Sequence, residues 1–168
     1  MPLTDHLTAL FRRDLAGLRR EVEAYPDDGA VWQAVPGLTN SGGVLVRHLC
    51  GNLQHFVGAG LGNTGYVRDR EAEFGALPWP RERLLAEIAA TEKAVTETLA
   101  GLPPEAVSAP YPAPVGDLRL DTDDFLTHLA VHLGFHLGQV GYHRRVVTGE
   151  PKSVVGNTLG ALASARPA

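Results

Sequence analysis

Residues 122–147 read TDDFLTHLAVHLGFHLGQVGYHRRVV. Apolar residues return every third or fourth place along this stretch, the period of an amphipathic helix, and His128, His132, His136 and His143 share that period. At ~100° per residue the four histidines fall within a sector of about 80°, so one side of the helix carries a stripe of imidazoles. Phe125, Leu129, Val131 and Phe135 accompany them, and the stripe therefore reads as part of an apolar face that turns inward. Burying several titratable rings together calls for a compensating partner. A divalent transition metal is the simplest one, because neutral imidazole is a common ligand and two rings one turn apart can hold the same ion. His128 with His132, and His132 with His136, fit that spacing equally well.

Three more segments show the helical period. The first carries Leu3, Leu7, Leu10, Phe11, Leu15, Leu18 and Val22 on one side and Arg12, Arg13, Arg19 and Arg20 on the other, ending near Tyr25-Pro26. The second follows the turn-like Thr39-Asn40-Ser41-Gly42-Gly43 and runs from about Val44 to Gly60, with Leu45, Leu49, Leu53, Phe56 and Ala59 as its buried side. The third opens at Pro80, repeats Leu84, Leu85, Ile88, Val95 and Leu99, and stops at Gly101 and Pro103-Pro104. Residues 103–121 are proline-rich and aperiodic, a long crossover with room for a short hairpin at Leu118–Leu120. Four long helices joined by extended links predict an all-α four-helix bundle over residues 1–150, with 151–168 as a loosely held tail rich in small residues. Ala130, Gly134, Gly138 and Gly141 lie opposite the histidines; each helical glycine costs ~1 kcal/mol relative to alanine, so a close neighbour is expected there, either another helix or a second subunit.

The gross composition narrows the function classes. In 168 residues, 44% are hydrophobic, enough for one core-forming domain, and the net charge is −4 with Lys and Arg scattered. That gives no footprint for a nucleic-acid backbone. No apolar run approaches the length of a membrane span, and the N-terminal residues lack a basic start followed by an apolar segment; the expected compartment is the cytoplasm. Cys50 is the single cysteine, which excludes an internal disulfide and a thiolate cluster for structural zinc. Any bound metal must take histidine or carboxylate ligands.

The second helix supplies a further imidazole, since His48, Asn52 and His55 fall within about 60° of one another on its inward face. Two ligands from the fourth helix and one from the second would make a facial set with open positions, the arrangement of catalytic rather than structural metal sites. His128, His55, Asn52 and Gln139 are candidates for bracing the ligands or lining the pocket. His143 is expected at the rim or surface. Cys50 points about 160° away from His48 around its helix and reads as a packing residue. Arg68, Asp69 and Arg70 sit in a glycine-flanked loop as solvated charges, as a gate to the pocket, or as a pair across a dimer. No general base stands out beside the histidines.

The run His132-Leu133-Gly134-Phe135-His136-Leu137-Gly138-Gln139-Val140, preceded about eighty residues earlier by His48-Leu49-Cys50-Gly51-Asn52-Leu53, resembles the DinB/YfiT-like superfamily of metal-dependent proteins. Within it, Gly51-Asn52 followed by Arg68-Asp69-Arg70-Glu71-Ala72-Glu73-Phe74 is similar to a branch known only as a domain of unknown function. The resemblance implies an up-down-down-up bundle, often dimeric, with nickel or zinc on three histidines matching His48, His132 and His136. It also implies a thiol-dependent reaction, because relatives include mycothiol-dependent maleylpyruvate isomerase and bacillithiol transferases. The expectation is a metal-dependent S-transferase or hydrolase with a small-molecule substrate and a low-molecular-weight thiol. The alternative is a non-catalytic metal-binding or stress-response protein.

Overall fold

The first periodic segment forms helix α1 (Leu3–Glu23), whose Leu7, Phe11, Leu15, Leu18 and Val22 are buried. A short helix, α2 (Asp28–Trp32), follows and is capped by Asp27, whose side chain accepts the Ala30 N–H. Helix α3 (Gly42–Leu53) starts at Ser41, whose hydroxyl accepts the Val44 N–H at 3.4 Å, and it runs on through a π-helical stretch (Gln54–Ala59) into a final α turn (Gly60–Gly62). The π stretch alters the phase of the buried face. Leu45, Leu49 and Leu53 are inside as the 3.6-residue period predicts, but Val57 and Gly58 are buried next, while Phe56 and Ala59 are half-exposed. After α4 (Arg70–Phe74) come α5 (Arg81–Gly101), α6 (Pro104–Val107) and the histidine helix α7 (Thr122–Thr148), which ends at Gly149 with φ 69°, a left-handed turn suited to glycine. The computed structural model describes residues 1–75, 77–156 and 158–167.

Among the long helices, α1 packs on α5 and α7, and α3 packs on the same two, so α1 and α3 stand at opposite corners. Helix directions follow from contacts at one end. Tyr25, just past α1, bonds His143 near the end of α7; its carbonyl accepts from Arg81 at the start of α5; and its hydroxyl lies against Gly42 at the start of α3. The end of α1, the starts of α3 and α5 and the end of α7 thus meet, giving up-down-down-up. The fold is all-α, as expected. The crossover before α7 contains isolated bridges, Pro110 with Asp121 and Val115 with Leu118, in place of a regular hairpin.

The face of α7 opposite the histidines is closely approached only at its C-terminal end: Gly134 and Gly138 are exposed, and a Cβ at Gly138 would meet nothing within 4 Å, so the expected close neighbour is found at Gly141 alone. Gly141 lies where a Cβ would come 3.0 Å from the Glu21 carboxylate. Glu21 in turn pairs with Arg144 at 2.5 Å, both side chains almost fully buried, and Arg144 also donates to Lys152 O at 2.6 Å. That bond and the packing of Val155 near Gly17 hold the first residues after α7 against the bundle. One expectation about the other face is corrected. Phe125 and Leu129 are buried, but Val131 and Phe135 are 67% and 62% exposed, because among the long helices only α1 and α3 pack on α7 and their side is the one that is covered. Among the described residues no helix is long and apolar enough to cross a membrane.

Candidate metal centre

Packing of α3 on α7 brings together three imidazoles from distant parts of the sequence. His48, His132 and His136 each offer a ring nitrogen, and these nitrogens all lie within 4.8 Å of one another. His48 Nε2 and His132 Nε2 are 3.3 Å apart. An ion with metal–nitrogen distances of about 2.0–2.1 Å places two tetrahedral ligands about 3.3–3.4 Å apart, so this pair already has the spacing of a shared edge. The rings of His132 and His136 meet edge to face at 4.5 Å, those of His48 and His136 at 5.3 Å.

The hydrogen bonds on the outer nitrogens decide which atoms are left to converge. Gln139 Oε1 sits 2.6 Å from His136 Nδ1 and, as an amide oxygen, can only accept; Nδ1 therefore carries the proton and Nε2 is bare. His132 Nδ1 is buried with no hydrogen-bond partner among the described residues, and its Nε2 faces only the His48 ring. Burial first, and then the neighbouring His136, His48, His128 and Arg68, push the His132 imidazole down to about 4, and burial also lowers His136. Both rings are neutral at ordinary pH, the state a metal ligand requires. An orphaned buried nitrogen, neutral rings and a shared nitrogen-only edge fit a divalent transition ion.

The fourth element of the site is a carboxylate that sequence reasoning missed. Asp69 caps α4, its side chain accepting the Ala72 N–H at 2.9 Å, and this short helix delivers Glu73 to α3. Glu73 Oε2 lies 3.1 Å from His48 Nδ1, and Arg68 grips the same carboxylate through Nε to Oε1 at 2.6 Å and Nη2 to Oε2 at 2.8 Å. Burial pushes the Glu73 carboxyl up, but the hydrogen bonds from Arg68 and His48 outweigh it and hold the group below its usual range. The only sequence signal for this arrangement was the Arg68 to Phe74 run itself. Arg68 is turned inward to Glu73, Asp69 is a helix cap, and Arg70 lies over the Phe74 ring, so each residue of the charged loop has an intramolecular role.

The remaining predicted residues separate clearly. His128 is exposed and stacks at 6.1 Å on His132 without joining the cluster. Asn52 is buried with Oδ1 unpartnered, and His55 packs edge-on against Phe56; neither bonds the three rings. His143 is corrected from the rim to the interior. It is 1% exposed, with Nε2 donating to Gln33 O at 2.9 Å and Nδ1 accepting from the Tyr25 hydroxyl at 2.7 Å. The segment between α1 and α3 folds over the end of α7 and covers it. Cys50 is fully buried among core side chains, and burial pushes its thiol up to about 12, which leaves it unreactive.

Beside His136 opens a cavity of about 540 Å³ lined by Leu38, Leu45, Phe135, Gln139 and Tyr142 among others. Its wall is mainly apolar, with no Lys, Arg, Asp or Glu in it. No curated protein and no solved structure matches the chain. The model of the DinB superfamily matches residues 10–140, from the second turn of α1 to the middle of α7, including all three clustered histidines, and with most of the chain covered the protein belongs to that superfamily.

Proposed function

We propose that the protein is a metal-dependent enzyme in which His48, His132 and His136 hold one divalent ion, nickel or zinc, with positions left open for a low-molecular-weight thiol or a water. The observation that carries this reading is the convergence of three ring nitrogens within 4.8 Å, two of them with no other partner in that direction. Such an ion lowers the pKa of a bound thiol or water and so supplies a nucleophile at neutral pH. The protein's own residues do the rest. Gln139 and Glu73 hold two of the rings by their outer nitrogens, and the open cavity beside His136 receives the apolar part of a small electrophile. Transfer to a thiol is favoured over hydrolysis by the family's thiol-dependent members.

One observation favours a second reading, a non-catalytic metal-binding protein: Glu73 is committed to Arg68 and His48 and is not free to take a proton from a substrate. The two readings part on coordination and turnover. X-ray absorption of the nickel- or zinc-loaded protein should show three imidazole nitrogens plus exchangeable ligands, with thiol addition introducing a metal–sulfur distance and consumption of at least one member of a panel of electrophiles. A shell saturated by protein ligands, with no sulfur entering, selects the second reading.

A further inference from the structure

Glu73 and the glycine opposite it form a unit that the metal reading alone does not require. Glu73 is 5% exposed and reaches α3 at Gly51, where a Cβ would overlap its carboxylate. Any side chain at position 51 would push the carboxylate away from His48, three residues earlier on the same helix. The other end of α4 is also tied to α3: Arg47 donates to Gly75 O at 2.8 Å and to Leu77 O at 3.3 Å, with its guanidinium held over the rings of Trp32 at 4.6 Å and Trp79 at 5.3 Å. Two adjacent residues of α3, Arg47 and His48, thus clasp one short helix on either side of Phe74, whose ring packs 5.0 Å from that of His48. The clasp fixes where Glu73 lies with respect to His48.

The consequence is a choice of tautomer. A carboxylate paired with arginine through both oxygens is an acceptor only, so the His48 nitrogen 3.1 Å from it must carry the proton. Arg68 Nη2 is also 3.5 Å from His48 Nδ1, but a bare Nδ1 there would set a lone pair against the nearer carboxylate oxygen. With the proton on Nδ1, the lone pair is on Nε2 and faces His132.

Building on the metal reading above, we infer that Glu73 is a positioning residue: held by Arg68 and admitted by Gly51, it locks His48 in the Nδ1–H tautomer and aims Nε2 at the shared point. Orienting partners of this kind typically change metal affinity 10–100-fold. The tautomer is read directly in the metal-free full chain by long-range ¹H–¹⁵N correlation of the His48 ring. Nδ1–H is expected in the wild type and a shift toward Nε2–H in Glu73→Ala and Gly51→Ala. Titration with nickel or zinc alone should show affinity falling about tenfold or more in both variants, with Glu73→Gln, which keeps an acceptor, falling less. In a His48→Ala background the Glu73→Ala loss should shrink to under about twofold, since the ring on which Glu73 acts is gone. A wild-type His48 protonated on Nε2, a tautomer unmoved by both variants, or an equal affinity loss in the His48→Ala background overturns the inference. A wild type that binds no ion contradicts the proposed function instead, and the ring's tautomer still answers for Glu73.

Discussion

Helix α7 turns two histidines away from bulk solvent, a fully buried His143 and a half-buried His132, and they have opposite surroundings. His143 has both ring nitrogens satisfied, by the Tyr25 hydroxyl and the Gln33 carbonyl, and Gly42 leaves the gap through which Tyr25 reaches it. His132, three turns earlier on the same helix, has one nitrogen with no partner and the other facing a second imidazole at 3.3 Å. The helical phase of the two is nearly the same. A completed hydrogen-bond set makes a histidine a part of the core, and an incomplete, convergent one makes it available to an ion.

The largest way to strain this contrast is at the His143 end, where the buried Glu21–Arg144 pair joins α1 to α7. Glu21→Ala leaves Arg144 buried without its partner and should cost about 3–5 kcal/mol in urea unfolding. Metal content should not change as long as the chain is folded. His143→Ala should cost about 2–4 kcal/mol, because it opens a cavity and leaves the Tyr25 hydroxyl and the Gln33 carbonyl short of a partner, again without loss of metal. His132→Ala reverses the pattern: the ring makes no completed hydrogen-bond set, so the metal-free protein should lose less stability than with His143→Ala, while ion binding falls sharply.

Acid sharpens the comparison further. Burial lowers the imidazoles of His132, His136, His143 and His55 in the folded, metal-free protein, whereas in the unfolded chain they titrate near 6.5. Below about 6.5 the unfolded state binds more protons, so stability should be full above that pH and fall toward pH 4, where His132 begins to charge in the folded state. Denaturant midpoints measured across that window should fall less steeply in His132→Ala than in the wild type. The smallest effect is expected at Cys50, which is fully buried and whose thiol is pushed up to about 12. Cys50→Ala should cost about 1 kcal/mol and leave metal binding and any thiol-dependent turnover intact, since the reacting thiol is an added one.

The long helices were legible because each shows its 3.6-residue period over at least three turns, and burial of that stripe is what holds them. His132 and His136 were legible through the same period, and His48 through its place on an inward face. Glu73 was not, because it arrives on a five-residue helix too short to display a period, and its partner Arg68 lies before that helix in an irregular loop. The π-helical stretch from Gln54 to Ala59 also escaped, since its sequence continues the apolar pattern of α3 without any marker of the change in register. His143 was misplaced for a different reason. Periodicity gives the direction in which a ring points but not what folds over it, and here the cover comes from the aperiodic segment between α1 and α3. Family resemblance chose His132 with His136 over His128 with His132, and the structure brings the former pair together with His48 while leaving His128 exposed.

The central claim is that convergence, rather than the mere presence of buried histidines, makes the metal site. Elemental analysis of tag-free protein, dialysed against excess nickel or zinc and then desalted, tests it most directly when wild type, His132→Ala and His143→Ala are run side by side. The account predicts about one ion per chain in the wild type and in His143→Ala, and close to none in His132→Ala. An ion retained by His132→Ala, or lost from a folded His143→Ala, would contradict it.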